Sequence, residues 1–211
     1  MKTEVILSIE TALAGGSIGL LRSGQILYGK ADCVSRASEL IDAISLSLKS
    51  ANLSVKDLQM IAVSKGPGSF TGIRVGIATA LGLARSLKIP VSGISLFDAV
   101  AFSNPRENAE VVIPLGRGRF GVQSFVRDGA VAKADSDPAS MLESELTERI
   151  FNSPLSKFFI YGNEGLFSGC ETSSRVPPNV SFINENLAVL IANRAINFEL
   201  PDELLPIYLG R

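Results

Sequence analysis

The 211-residue sequence contains no histidine. That excludes a histidine general base, a Ser–His–Asp triad and every common zinc site built on imidazole. Cysteine is scarce: Cys33 and Cys170 lie far apart with no CxxC spacing, which reads as two reduced thiols rather than a disulfide framework. Neither sign of charge is in excess, with 20 Lys and Arg against 21 Asp and Glu. An autonomous nucleic-acid binder needs a clear surplus of cations, so any RNA is expected to be held mostly by another chain. No apolar run reaches the roughly 18 residues that cross a bilayer. Arg74, Arg85 and Lys88 interrupt the oiliest segment, and Glu4 and Glu10 fall where a signal peptide would be apolar. Low-complexity tracts and charged tails are missing as well. Together these absences predict a soluble, cytoplasmic protein with no membrane association.

What is present is apolar. Hydrophobic residues make up 46% of the chain, which implies a generous core, a surface that meets a partner, or both. The first half alternates strands and helices. "VILSIE" (Val5–Glu10) reads as a buried strand ended by the turn "TALAGG". "GSIGLL" and "QILYGKA" flank Ser23-Gly24, a dipeptide suited to a hairpin. Leu40, Ile41, Ile44 and Leu48 share one helical face. "MIAVS" is a further strand, and after a glycine-rich turn a long helix runs from about Thr71 to Lys88, where Pro90 prevents continuation. "VSGIS" and "LFDAVAF" add a strand and a helix. Hairpin-ordered strands followed by βα units predict a mixed sheet flanked by helices.

The pattern then starts again. Glu110–Asp135 can be laid on Glu4–Asp32: both open on Glu-Val, reach Arg-x-Gly and an aliphatic third strand, and close on Lys-Ala-Asp. Two halves, residues 1–104 and 105–211, are expected. The second is shortened, with a helix at Met141–Phe151, a strand at Phe158–Gly162 and a late helix at Glu185–Phe198. "SGCETSSRVPPN" reads as a surface loop, and Asp135 and Asp137 as a solvated turn.

The stretch "SKGPGSFTGIRVGIATALGLARSL" carries the most information. Gly66, Gly68 and Gly72 allow positive φ and close approach of a ligand or another chain segment. Ser69 and Thr71 suit a helix N-cap, and first-turn N–H groups attract anions. The spacing is neither a P-loop nor GxGxxG. An anion or nucleotide site over Gly66, Pro67, Gly68, Ser69, Phe70, Thr71 and Gly72 and a plain tight turn therefore both stand. Along the helix, Gly72, Gly76, Ala80 and Ala84 recur every four residues as a stripe that would let another helix approach closely. Ile73, Ile77 and Leu81 lie beside it. With Leu40, Ile41, Ile44 and Leu48 they form a candidate subunit surface. The alternative cover is a neighbouring helix of the same chain.

"GPGSFTGIRVG" with the following "GLA" resembles the signature of the TsaB (YeaZ) family of tRNA threonylcarbamoyladenosine biosynthesis proteins. The early "IETA" resembles that family's "IDTA" turn, and the terminal "LPIYLGR" its Pro-x-Tyr-Leu-Arg ending. The resemblance runs over nearly the whole chain, strongest in residues 4–95. It implies a duplicated actin/hexokinase/Hsp70-like (ASKHA, RNase H-like) α/β fold. It implies a member that does not catalyse alone, without cofactor or metal of its own. Such a member pairs with a TsaD-type catalytic subunit through helices of the first half and acts with a TsaE-type ATPase. The assembly transfers threonylcarbamoyl to adenosine 37 of tRNAs reading ANN codons, so tRNA is met only through the complex. Without a partner, the same helices imply a homodimer.

The departures agree with an inactive role. Glu10 stands where the family has Asp, and "LGRGRFGVQ" lacks the acids of the family's "DARxGEVY". Holding Mg²⁺ for phosphoryl or group transfer takes carboxylates or lysines, and no recognisable acidic pair is present. The contrasting reading is a free-standing ASKHA small-molecule kinase or ATPase that uses Glu10, Thr11 and the glycine turn for phosphate. A peptidase is excluded because the chain has no histidine for a zinc site.

Overall fold

A computed structural model describes residues 4–34, 37–103, 108–128, 131–162, 166, 176–197 and 204–209. In chain order the elements are β1 (Val5–Glu10), β2 (Ser17–Arg22), β3 (Gln25–Ala31), α1 (Leu40–Ser50), β4 (Met60–Ser64), α2 (Phe70–Leu87), β5 (Val91–Ile94), α3 (Leu96–Ser103), β6 (Ala109–Gly116), β7 (Arg119–Asp128), β8 (Val131–Ala134), β9 (Ala139–Leu142), α4 (Glu143–Asn152), β10 (Lys157–Tyr161), β11 (Val180–Ile183) and α5 (Leu187–Ile196). Contacts divide the chain into one unit of residues 1–99 with 185–208 and another of 100–184 with 209–211. The junction expected between residues 104 and 105 lies outside the described residues.

The first unit is a five-stranded sheet in the order β3-β2-β1-β4-β5. β1 pairs antiparallel with β2 and parallel with β4, which pairs parallel with β5. All six residues of β1 are buried, as a strand covered on both faces must be. The β2–β3 turn closes between Arg22 and Gln25, with φ of +49° at Ser23 and +82° at Gly24, the two-residue loop that Ser-Gly predicted.

α2 covers one face of this sheet and α5 the other. A Cβ at Gly76 would lie 3.5 Å from Val63 Cγ2, placing α2 on the β4 side chains that alternate with Ser8's face. On that opposite face a Cβ at Gly19 would lie 3.2 Å from the Ala188 backbone, so glycine lets α5 come down directly on β2. Ser17 Oγ accepts from Ala188 N at 3.1 Å and Asn186 Oδ1 from Val189 N at 3.2 Å, which start the helix in place. Seven of its ten residues, Leu187–Ala192 and Ala195, are buried. Arg194 Nε pairs with Asp98 Oδ2 at 3.0 Å, fastening α5 to α3. This corrects the assignment of the late helix to the second half. Its apolar residues, unbroken from Leu187 to Ala192, serve the first sheet, a long-range choice that periodicity does not encode.

The second unit repeats the topology. Its main path, β8-β7-β6-β10-β11, has the same order and strand senses as the first sheet, with β9 added on β7. The duplication read from Glu4–Asp32 and Glu110–Asp135 is therefore present in three dimensions. Val112, Phe120, Val122, Leu146, Ile150, Phe158 and Ile160 form its core. The helix expected from Met141 starts at Glu143, because Ala139–Leu142 pair with Arg119–Val122 first. Glu145 Oε2 accepts from Leu142 N at 2.6 Å and fixes that start. The buried Glu110 carboxylate is held by both Nε and Nη2 of Arg149, at 2.7 and 3.0 Å. That bond is the main reason the Arg149 guanidinium is pushed further up.

Candidate functional site

Two turns of the first unit close on each other. The glycine turn follows β4, and the turn Thr11–Gly16 follows β1. Ser69 N donates to Ala12 O at 2.7 Å, and Thr11 Oγ1 donates to Gly72 O at 2.8 Å. Gly66 and Gly68 take φ of +96° and +153°, and a Cβ at Gly68 would collide with the Ala12 carbonyl. A Cβ at Gly72 would collide with Thr11 O, and one at Gly76 with Thr11 Oγ1. The glycines are thus spent on close approach of the chain to itself. Ser69 caps α2 as expected, its Oγ accepting from Gly72 N at 3.3 Å. Ser69, Phe70 and Thr71 are exposed, while Gly66 and Pro67 are buried.

Glu10 sits beneath this junction, 2% exposed. Its Oε1 accepts from Ala12 N at 2.5 Å and from Leu13 N at 2.9 Å. Burial pushes the carboxyl up to about 7 against the lowering effect of the Leu13 and Ala12 amides. Those amides are the donors a turn of this kind would offer an incoming anion. Here the chain's own carboxylate occupies them, and Thr11 is engaged with Gly72. The contrasting kinase or ATPase reading sets Glu10 and Thr11 beside a phosphate; in this structure both side chains bind the chain's own backbone.

The small-residue stripe also faces inward. Gly76, Ala80 and Ala84 are buried with Ile73 and Ile77 against the sheet, and Gly72 meets Thr11. The subunit-surface expectation for Gly72, Ile73, Gly76, Ile77, Ala80 and Ala84 is corrected accordingly: the turn at Thr11 meets Gly72, and a sheet face, not a second helix, covers the others. Leu40, Ile44 and Leu48 are likewise buried on α1. Leu81 (43% exposed) and Ile41 (56%) do face solvent, joined by Phe70 (51%) and by Leu46 on α1. α2 therefore keeps one open face.

A feature that the sequence did not assign completes this face. Residues 204–209 return across the glycine turn, where Ile207 N donates to Lys65 O at 2.8 Å. A Cβ at Gly66 would meet the Ile207 carbonyl at 2.9 Å, so that glycine makes room for the segment. Tyr208 packs on Phe70 with ring centroids 4.8 Å apart, Arg74 lies 3.6 Å over the Phe70 ring, and Arg74 Nε donates to Tyr208 Oη at 3.2 Å. The terminal motif was visible as a resemblance; its contact across 134 positions was not.

Elsewhere, a cleft of about 360 Å³ beside α1 is lined by residues including Tyr28, Lys30, Asp32, Cys33 and Asp42, and by none of the glycine turn. Burial pushes the Cys33 thiol up, and Cys33 is in no disulfide. Cys170 and most of "SGCETSSRVPPN" lie outside the described residues. Among the described residues no three Cys, Asp or Glu side chains gather as metal ligands, and no helix is long and apolar enough to cross a membrane.

Comparison with known proteins bears on this arrangement. A family model described as TsaD, tRNA N6-adenosine threonylcarbamoyltransferase, matches residues 35–139. The TsaB of Buchnera aphidicola subsp. Schizaphis graminum is 36% identical over 100 residues, covering 47% of this chain and 48% of that protein. Bacillus subtilis TsaB is 34% identical over 121 residues, covering 55% and 51%. The chain is thus similar to TsaB proteins over about half of its length. The matched stretches span about half the length of these TsaB relatives. The YeaZ fold itself extends throughout: YeaZ from Pseudomonas aeruginosa superposes with a TM-score of 0.69 at 18% identity, covering 98% of this chain and all of that one. A second Pseudomonas aeruginosa structure, described as similar to the peptidase YeaZ, gives 0.72 at 21% identity with the same coverage.

Proposed function

We propose that this chain is a non-catalytic partner subunit in the biosynthesis of threonylcarbamoyladenosine in tRNA. It pairs with a TsaD-type catalytic subunit and acts with a TsaE-type ATPase in the cytoplasm. Kinship to proteins named for that pathway supports the setting. The observation that carries the non-catalytic role is the closed pair of turns. Glu10 occupies the Ala12 and Leu13 amides, while Gly68 and Gly72 are packed on the Thr11–Ala12 backbone. A kinase or ATPase would need those groups open to a phosphate. The partner-facing groups are the outward ones: Ile41 on α1 and Phe70, Arg74 and Leu81 on α2. Lacking a partner, the same apolar groups drive self-association.

Reconstitution tests this. The chain is combined with TsaD- and TsaE-type proteins, threonylcarbamoyl adenylate, ATP and an unmodified tRNA reading ANN codons, and the nucleosides are measured by mass spectrometry. The expected result is modified adenosine with all three proteins, little without this chain, and none with this chain alone. Modification by the chain alone, or full activity when it is omitted, would overturn the proposal. Calorimetric titration of the isolated chain with Mg–ATP is expected to show no tight binding; tight binding lost in Glu10→Gln would establish the kinase or ATPase reading instead.

A further inference from the structure

The β6–β7 hairpin carries an arginine where such a turn ordinarily takes a small residue. Gly116 pairs with Arg119, which leaves Arg117 and Gly118 as the loop. Their φ angles are +54° and +68°. Two successive positive φ values make a type I′ turn, whose first position favours Asn, Asp or Gly because a left-handed backbone crowds a Cβ. The matching turn of the first repeat also holds a residue with a Cβ there, Ser23 at +49°, but one without a long charged side chain.

Arg117 gains nothing visible in return. It is exposed, and it makes no hydrogen bond or ion pair with the described residues. A Cβ on either flanking glycine would meet nothing within 4 Å, so the space on the side-chain side of the turn is open. Two positions on, Arg119 Nε donates to Ser140 Oγ at 3.1 Å, which fixes a second guanidinium at the base of the same turn. Backbone strain that presents an unpartnered side chain points to a ligand outside the chain. Guanidinium groups suit phosphate oxygens in particular, being planar, permanently charged and weakly hydrated.

We propose that the Gly116–Arg119 hairpin contacts the phosphate backbone of tRNA in the assembled complex. The proposal rests on the function argued above and adds a direct RNA contact to it. Glu143 and Glu145 begin α4 beside the turn, Glu143 N donating to Gly118 O at 3.0 Å. Their charge opposes the pull of the tip on an anion. With a chain of net charge −1, that makes a contact that orients the RNA while other subunits supply most of the affinity.

The test uses the complete complex, with tRNA affinity measured across a salt series for the unaltered chain and for Arg117→Asn. Asn-Gly suits the turn, so this variant is expected to raise the chain's own melting temperature. It is also expected to weaken tRNA binding about threefold to tenfold near 0.1 M salt, and to flatten the log–log salt slope by about 1. A gain in stability joined to a loss of RNA affinity is not what a purely structural residue would give. Unchanged affinity and slope would overturn the proposal, as would a variant that loses its partner subunits, which would mark the tip as a protein contact. Failure of the unaltered chain to co-elute with those subunits is seen before any tRNA is added, and overturns the underlying function as well.

Discussion

The Thr11 hydroxyl donates to the Gly72 carbonyl oxygen at 2.8 Å, and the Gly72 Cα has no room for a side chain because the Thr11 carbonyl stands against it. The end of β1 and the start of α2 are thereby fitted to each other atom by atom.

Gly72→Ala should consequently lower stability by about 1–3 kcal/mol, the usual cost of forcing a carbon into a filled space. Gly82, on the exposed side of the same helix, has nothing within 4 Å of its missing Cβ. Gly82→Ala should raise stability by about 0.5–1 kcal/mol through helix propensity. Urea denaturation of both variants checks the contrast, and equal shifts would remove the claim of close fit.

Glu10 makes stability depend on pH. Below its ordinary value of 4.5 the carboxyl is protonated in both states and contributes no difference. As pH rises from there to about 7, the unfolded chain gives up the proton while the folded one keeps it, so folding loses stability. The full loss, on the order of 3 kcal/mol, is reached above that value. Glu10→Gln keeps an acceptor oxygen for Ala12 and Leu13 and cannot ionise. Its melting temperature should pull ahead of the parent's across this window, and a difference independent of pH would contradict the account.

In the second unit, Arg149→Ala leaves the buried Glu110 carboxylate without its two-pronged partner. The expected cost is about 1–3 kcal/mol, toward the lower end because the Arg149 side chain is 46% exposed. Chemical denaturation at neutral pH measures it.

Ser92 Oγ is buried in β5 and finds no partner among the described residues. Ser92→Ala removes an unmet polar group at little loss of volume and should stabilise the chain by about 1 kcal/mol. A destabilised variant would reveal a partner.

Partner binding should follow the outward face of α2. Leu81→Arg is expected to leave the melting temperature within a degree or two, since the site is exposed, while abolishing co-elution with a TsaD-type subunit. Ala80→Leu, one position along and fully buried, should instead damage the fold itself. Retained pairing in both Leu81→Arg and Ile41→Arg would move the interface elsewhere.

Much of this arrangement was legible in the sequence. β1 showed as an apolar run, the β2–β3 turn as Ser-Gly, and α2 as a long periodic segment between Ser69 and Pro90, because each is fixed by neighbours within a few residues. The direction of the Gly72–Ala84 stripe was not legible. Small residues permit close approach equally to a helix of another subunit or to a strand of the same chain, and only tertiary placement decides. The role of Glu10 was hidden similarly: an acid at a strand end reads as solvent-facing or ligand-facing until the Ala12 and Leu13 amides are seen folded over it. The destination of α5 and the docking of Tyr208 on Phe70 depend on partners more than a hundred positions away. The short strands β9 and β11, four residues each, carry too little pattern to stand out.

Because α5 comes from beyond residue 184 to cover β1 and β2, the sheet that β1 begins stays unfinished until residues 100–184 have all been synthesised. Until Leu187–Ile196 has been made, one side of it lies bare, and a nascent chain stalled before that point presents an unroofed greasy plane to chaperones and proteases.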